Sequence, residues 1–129
     1  MERFTIGRES DVTMAILGIQ RYARNHGFPE HTIARLSTAV SELGNNIVKY
    51  CSGSGGDMVI DTSESDAILS VQVRDNGPGI ENLKLAMQDH FSTSGTLGLG
   101  LPGVRRIVDH FNIISVPGQG TIVCIAVQR

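Results

Sequence analysis

Six residues, Leu69-Ser70-Val71-Gln72-Val73-Arg74, alternate apolar and polar side chains and then run straight into Asp75-Asn76-Gly77-Pro78-Gly79-Ile80. Alternation with period two is the signature of a half-buried strand, and here it leads into something other than a tight hairpin. Asp75 falls on the parity of Leu69, Val71 and Val73, so its carboxylate points to the buried side. No basic residue adjoins it on that face. Burying it leaves an acceptor in need of a donor, since an unpaired buried charge is costly, and a ligand could supply that donor. Gly77 and Gly79, on either side of Pro78, remove side chains just beyond the carboxylate and allow something to come close to the backbone. Taken alone, the stretch reads equally well as an ordinary turn that ends in a surface Asp.

The chain around it has 129 residues, enough for one domain with a real core. A content of 40% hydrophobic and 19% charged residues fits a globular class, and a formal charge of -2 provides no basic field for duplex nucleic acid. No apolar run approaches membrane length, and the start, Met1-Glu2-Arg3-Phe4-Thr5-Ile6, lacks the apolar centre of a signal peptide. The expectation is a cytoplasmic protein with no nucleic-acid and no membrane partner. Cys51 and Cys124 have no metal-site spacing and are expected to be free thiols.

Residues 2–6 alternate and predict a short first strand. Ser10-Asp11 offers an N-cap for a helix to about Asn25, with Val12, Ala15, Ile16, Ile19 and Ala23 at helical spacing and Gly27 as its stop. A second helix is expected from Pro29 or Glu30 to about Tyr50, with Ile33, Leu36, Val40, Leu43 and Ile47 as its core stripe. A glycine-serine loop over 51–56 precedes a strand over 57–62. A turn over 63–66 then makes that strand and the one ending at Asp75 an antiparallel hairpin. Residues 82–88 predict a short helix. Pro102 opens another whose buried face is Leu101, Val104, Val108 and Phe111, and strands over 113–116 and 121–127 finish the chain through Pro117-Gly118-Gln119-Gly120. The order is neither a repeat nor a regular βαβ alternation. It predicts an α+β two-layer sandwich, a mostly antiparallel mixed sheet with helices on one face.

Three polar groupings stand out. Glu42, Asn46 and Lys49, at i, i+4 and i+7, share one face of the second helix, where an acid, an amide oxygen and an ammonium could act as base, magnesium ligand and phosphate contact. Taken alone, a solvated helix face is the simpler account of the same residues. Gly98-Leu99-Gly100-Leu101-Pro102-Gly103 matches G-x-G-x-x-G as a string, yet lacks the preceding strand and the later acid of a dinucleotide site. A glycine loop that opens a helix still presents free N–H groups and a positive dipole end, which suits phosphates. The third grouping is Asp75-Asn76-Gly77-Pro78-Gly79 itself.

In this order, the three groupings resemble the GHKL superfamily of ATP-binding domains, named for gyrase, Hsp90, histidine kinases and MutL. Glu42-Leu43-Gly44-Asn45-Asn46-Ile47-Val48-Lys49-Tyr50 is similar to its N box, the stretch from Asp75 to Ile80 to its first glycine box, and that from Gly98 to Gly103 to its second. Phe91-Ser92-Thr93-Ser94-Gly95 followed by Gly98-Leu99-Gly100-Leu101-Pro102-Gly103-Val104-Arg105-Arg106 resembles RsbT-type switch serine kinases of bacterial stress signalling. The resemblance spans nearly the whole chain. It implies the GHKL (Bergerat) ATP-binding fold, with ATP between helices and sheet under a lid near residues 89–99 that includes Thr93. It also implies that Asp75 accepts from the adenine amine, with Gly77, Gly79 and Ile80 beside the base and Thr121 near it. Asn46 would hold Mg2+, with Lys49, Gly98, Leu99 and Gly100 at the phosphates, and Glu42 would be the general base. Lys49 is more typical of the histidine-kinase N box.

The function so implied is an ATP-dependent protein serine/threonine kinase acting on a STAS-domain protein, either an anti-sigma factor antagonist or a stressosome scaffold, in a partner-switching cascade. The alternative is a binding regulator on the same fold, an anti-sigma factor or an activator that docks on a phosphatase. A histidine-kinase catalytic domain ranks third, because its phosphoacceptor helices are absent and His26, His31, His90 and His110 have no acceptor context.

Overall fold

The alternating stretch that ends at Asp75 is the middle strand of a five-stranded sheet. The structure is a computed structural model that describes residues 1–51, 53–79, 87 and 100–129. In chain order its elements are β1 (Glu2–Ile6), α1 (Glu9–Asn25), α2 (Glu30–Tyr50), β2 (Gly56–Thr62), β3 (Ile68–Asp75), α3 (Gly100–Ile107), β4 (His110–Val116) and β5 (Gly120–Gln128). The strands lie in the order β1-β2-β3-β5-β4. Every pairing between them is antiparallel, so the mixed sheet expected from sequence is corrected to an antiparallel one.

Register carries one apolar parity across the sheet. Phe4 is opposite Met58, Met58 opposite Val73 and Val73 opposite Val123, which in turn faces Ile113. Along β3, Leu69, Val71 and Val73 are buried while Ser70, Gln72 and Arg74 are exposed, as the alternation requires. On this face the core stripe of α2 is sealed: Ile33, Leu36, Val40, Leu43 and Ile47 are all buried. α2 packs on α1 and α3 and reaches β1, β3 and β5, which gives the expected two layers.

The ends of the helices depart from expectation in informative ways. Helix α1 begins at Glu9 after Arg8, and not at a Ser10-Asp11 cap. Asp11 lies in the first turn and reaches back, its Oδ2 accepting from Gly7 N at 2.9 Å and Arg8 N at 3.0 Å. Those two donors hold its carboxyl below the usual range, and a carboxylate in the first turn also suits the helix dipole. Pro29 is the extended residue before α2 and lies outside its first turn. Gly27, at φ +78°, separates the two helices as expected.

Helix α3 stops at Ile107, so Phe111 does not belong to its buried face but to β4, which starts three residues earlier than expected. The stop has a physical cause in Arg35 of α2. Its Nη1 donates to the Ile107 carbonyl at 3.1 Å and its Nη2 lies 3.5 Å from Asp109 Oδ2, an oxygen that also accepts from Gln128 N at 2.7 Å. A cation on the last carbonyls of a helix satisfies orphan acceptors and opposes the negative dipole end. The helix expected over residues 82–88 lies outside the described residues apart from Met87.

Candidate functional site

At the end of β3, Asp75 is half-buried opposite Thr121 of β5. Its Oδ1 accepts from Gly77 N at 2.9 Å and from Thr121 N at 3.2 Å. The expectation that the carboxylate lacks a donor within the protein is therefore corrected. The sequence could not reveal these donors, because both are backbone groups and one comes from a strand 46 residues away. Both bonds fall on Oδ1, which orients the second oxygen. Thr121 is buried, and its hydroxyl pairs with that of Ser115 at 2.8 Å.

The flanking glycines are required by close approach, and the approaching atoms belong to the protein. A Cβ on Gly77 would stand 2.5 Å from Cys51 Sγ, and one on Gly79 would strike the carbonyl oxygen of Val116. Gly118 N also donates to the Pro78 carbonyl at 2.6 Å, so the turn after β3 is fastened to the turn between β4 and β5. Cys51 itself was missed from sequence, where it read only as a free thiol. It is free and buried, at the C-cap of α2. Burial, with the neighbouring Asp75 charge, pushes its thiol up to about 11. The one available signal was its position four residues after Ile47, on the buried stripe of α2.

Two and a half turns earlier on α2, Glu42 is half-buried and its Oε1 accepts from Gly100 N at 2.9 Å. Gly100 opens α3 at φ +66°, a left-handed conformation that glycine adopts without strain and that aims its N–H at α2. Glu42 thus stands at the positive end of α3 while Arg35, seven residues before it on α2, holds the negative end. Asn46 is half-buried one turn beyond Glu42, and among the described residues its side chain makes no hydrogen bond. Lys49 is exposed, with its Nζ 5.4 Å from the centre of the Tyr50 ring.

The structure therefore brings Asp75, Gly77 and Thr121 together, brings Glu42 to Gly100, and places Asn46 and Lys49 on the helix between. Ile80, Thr93, Gly98 and Leu99 lie outside the described residues. Among the described residues no three His, Cys, Asp or Glu side chains form a metal cluster, and no helix is long and apolar enough to cross a membrane.

Residues 31–129 match the family described as histidine kinase-, DNA gyrase B- and HSP90-like ATPase. The chain is 41% identical over 115 residues to the serine/threonine-protein kinase RsbT of Bacillus subtilis, covering 88% of this chain and 85% of that one. It is 34% identical over 95 residues to an anti-sigma F factor of Thermoanaerobacter sp., covering 70% of this chain and 66% of the other. In fold it resembles the histidine kinase domain of a blue-light activated histidine kinase from Erythrobacter litoralis, with a TM-score of 0.55 and 21% identity over 92% of this chain and 59% of that one. The chain belongs to the histidine kinase-, gyrase B- and HSP90-like ATPase family, the GHKL superfamily, and within it shares most of its length with a serine kinase.

Proposed function

We propose that this protein is an ATP-dependent serine/threonine kinase of a bacterial partner-switching cascade that phosphorylates a STAS-domain protein in the cytoplasm. The observation that carries the reading is the course of α2. It stands at Asp75 through Cys51 and at the start of α3 through Glu42. Nine residues separate those contacts, about 13 Å at 1.5 Å per residue, which suits a nucleotide extended from base to terminal phosphate. In this reading the second oxygen of Asp75 accepts from the adenine amine, beside Gly77, Gly79, Ile80 and Thr121. By the family resemblance, Gly98, Leu99, Gly100 and Lys49 are assigned to the phosphates and Thr93 to the nucleotide-binding set.

Asn46 fits a magnesium site. Its amide oxygen is a hard donor, half-buried, with no protein partner among the described residues, and magnesium is commonly held by one or two protein oxygens together with phosphates. When bound, the ion supplies charge neutralisation at the phosphates. Glu42 takes the proton of the attacking serine or threonine hydroxyl. The N–H group it bonds, at Gly100, is also one that a phosphate seeks at a helix N-terminus, so phosphate binding and release of the Glu42 carboxylate are linked. Positioning and charge carry most of phosphoryl transfer, and these few groups suffice for it.

Incubation with labelled ATP, magnesium and candidate STAS proteins should place label on a serine or threonine of one of them, and Glu42→Ala should abolish it. No label on any candidate would overturn the kinase reading. The similarity to an anti-sigma F factor supports a second reading, a regulator that sequesters a sigma subunit. Recovery of a sigma subunit with the purified protein, in the absence of STAS phosphorylation, would put that reading first. An activator that docks on a phosphatase would be distinguished by stimulation of the phosphatase without label transfer.

A further inference from the structure

Arg35 is half-buried on α2 and reaches both the end of α3 and the segment before β4. Its Nη1 donates to the carbonyl of Ile107, the last residue of α3, at 3.1 Å, and its Nη2 lies 3.5 Å from Asp109 Oδ2. The same Asp109 oxygen accepts from Gln128 N at 2.7 Å, which ties the pair to the end of β5. That backbone donor, with Arg35 beside it, holds the Asp109 carboxyl below the usual range, so both partners stay charged near neutrality. At the opposite end of α3, Gly100 N donates to Glu42 Oε1 at 2.9 Å. Arg35 and Glu42 are seven residues apart on α2, and Gly100 and Ile107 are seven apart on α3, about 10.5 Å along each helix. The equal spans set two antiparallel helices in register, and the two end contacts fix how far α3 can slide along α2. A helix of eight residues closes few hydrogen bonds of its own. Its placement therefore depends on those contacts and on the buried Pro102, Gly103 and Val104.

We propose that Arg35 is a positioning residue for the phosphate end of the site, the anchor that keeps α3 aligned when phosphates take the Gly100 N–H from Glu42. The inference rests on the nucleotide-binding reading above and adds the residue that holds the phosphate-binding helix in place. Of the two end contacts, the one at Gly100 is given up to the ligand in that reading, because its single N–H serves either the carboxylate or a phosphate. The Arg35 contact lies at the other end of α3 and is retained. A guanidinium suits the task, since it is always charged and its planar fork reaches a carbonyl and a carboxylate at once. Arg35 acts through the direction of α3, whose free N–H groups point toward the phosphates.

Calorimetric titration with ATP and the backbone amide NMR spectrum test the proposal on the wild type, Arg35→Met and Arg35→Lys, at a temperature well below every melting midpoint. Methionine keeps the apolar stem and removes the donors, and loss of a hydrogen bond from a charged group should weaken ATP binding roughly ten-fold. In the same variant the Gly100 and Gly103 amides should shift while those of Gly77 and Thr121, at the other end of the site, stay in place. Arg35→Lys keeps a cation and a donor for the Ile107 carbonyl and should bring ATP affinity back to within about three-fold of wild type. Should Arg35→Met not fold, Asp109→Asn still accepts from Gln128 N and loosens only the Arg35 contact; it should move the same amides and weaken ATP about two- to three-fold. A purely structural role predicts a lower melting temperature with unchanged ATP affinity in the folded protein, and that pattern overturns the proposal while leaving nucleotide binding intact. Shifts at Gly77 and Thr121 as large as those in α3, or no recovery with lysine, overturn it as well. Failure of the wild type to bind ATP overturns the nucleotide reading and this inference with it.

Discussion

The two ends of the candidate site are built on different principles. At the β3 end, Asp75 is held by two backbone N–H groups and packed by Cys51, inside a ladder of strand pairs and beneath a turn fastened to β4 and β5. At the α3 end, Glu42 makes one charge-assisted bond to Gly100, and α3 is gripped between Glu42 and Arg35 of a single neighbouring helix. The first end is rigid because its partners are backbone atoms whose positions follow from sheet register. The second depends on a side chain and a dipole, a contact that another anion can replace. A site that recognises a base and rearranges around phosphates would need that division.

Glu42→Gln should separate the two ends most strongly. The amide can still accept from Gly100 N, so the fold and nucleotide binding should persist, whereas phosphoryl transfer should fall by roughly 10²- to 10⁴-fold, as for loss of a general base. Transfer of label at the wild-type rate would reduce Glu42 to a helix cap.

Asp75→Asn probes the rigid end. The two backbone donors force the amide oxygen into the position of Oδ1, so the NH2 group takes the place of the second oxygen. In the proposed mode of binding, an acceptor for the adenine amine becomes a donor that opposes it. Hydrogen bonds to charged groups contribute about 1.5 to 3 kcal/mol, so nucleotide affinity should drop roughly ten- to hundred-fold by calorimetry with little change in melting temperature. Unaltered affinity would remove the adenine assignment.

Gly77→Ala probes the close approach of Cys51 to position 77. Its Cβ would stand 2.5 Å from Cys51 Sγ, and overpacking of this kind costs about 1 to 3 kcal/mol, read as a lower midpoint in urea denaturation. Pairing it with Cys51→Ala should return part of the loss, and strictly additive losses would mean the two residues do not press on each other.

The smallest effect is one of reactivity. Because the Cys51 thiol is raised to about 11, its thiolate fraction is very small near neutrality and grows as pH rises toward that value. In a Cys124→Ser background, alkylation by iodoacetamide should be slow at pH 7 and accelerate continuously up to at least pH 10. A rate profile with its midpoint near pH 8 to 9 would show an unperturbed thiol, and would deny that burial beside Asp75 raises it.

Much of this molecule was legible in the chain itself. Period-two alternation located β3 and put Asp75 on the inner face, and the stripes from Val12 to Ala23 and Ile33 to Ile47 located α1 and α2. These patterns are local, set by which side of an element meets the core, and so they survive without knowledge of what the element packs against. The glycine-rich run before Pro102 announced a helix start, and the spacing of Glu42, Asn46 and Lys49 placed all three on one face.

The tertiary structure alone decided the partners. That Asp75 has donors within the protein, that Gly77 is small because of Cys51, and that Arg35 ends α3 before Phe111 are contacts between residues far apart in sequence. Backbone donors carry no sequence signature, since every residue but proline has one, and only strand register brings the right one to a carboxylate. The sequence by itself determined which surfaces face inward and which chemical groups stand on them. Folding decided which of those groups meet, because that depends on how the strands and helices close on one another.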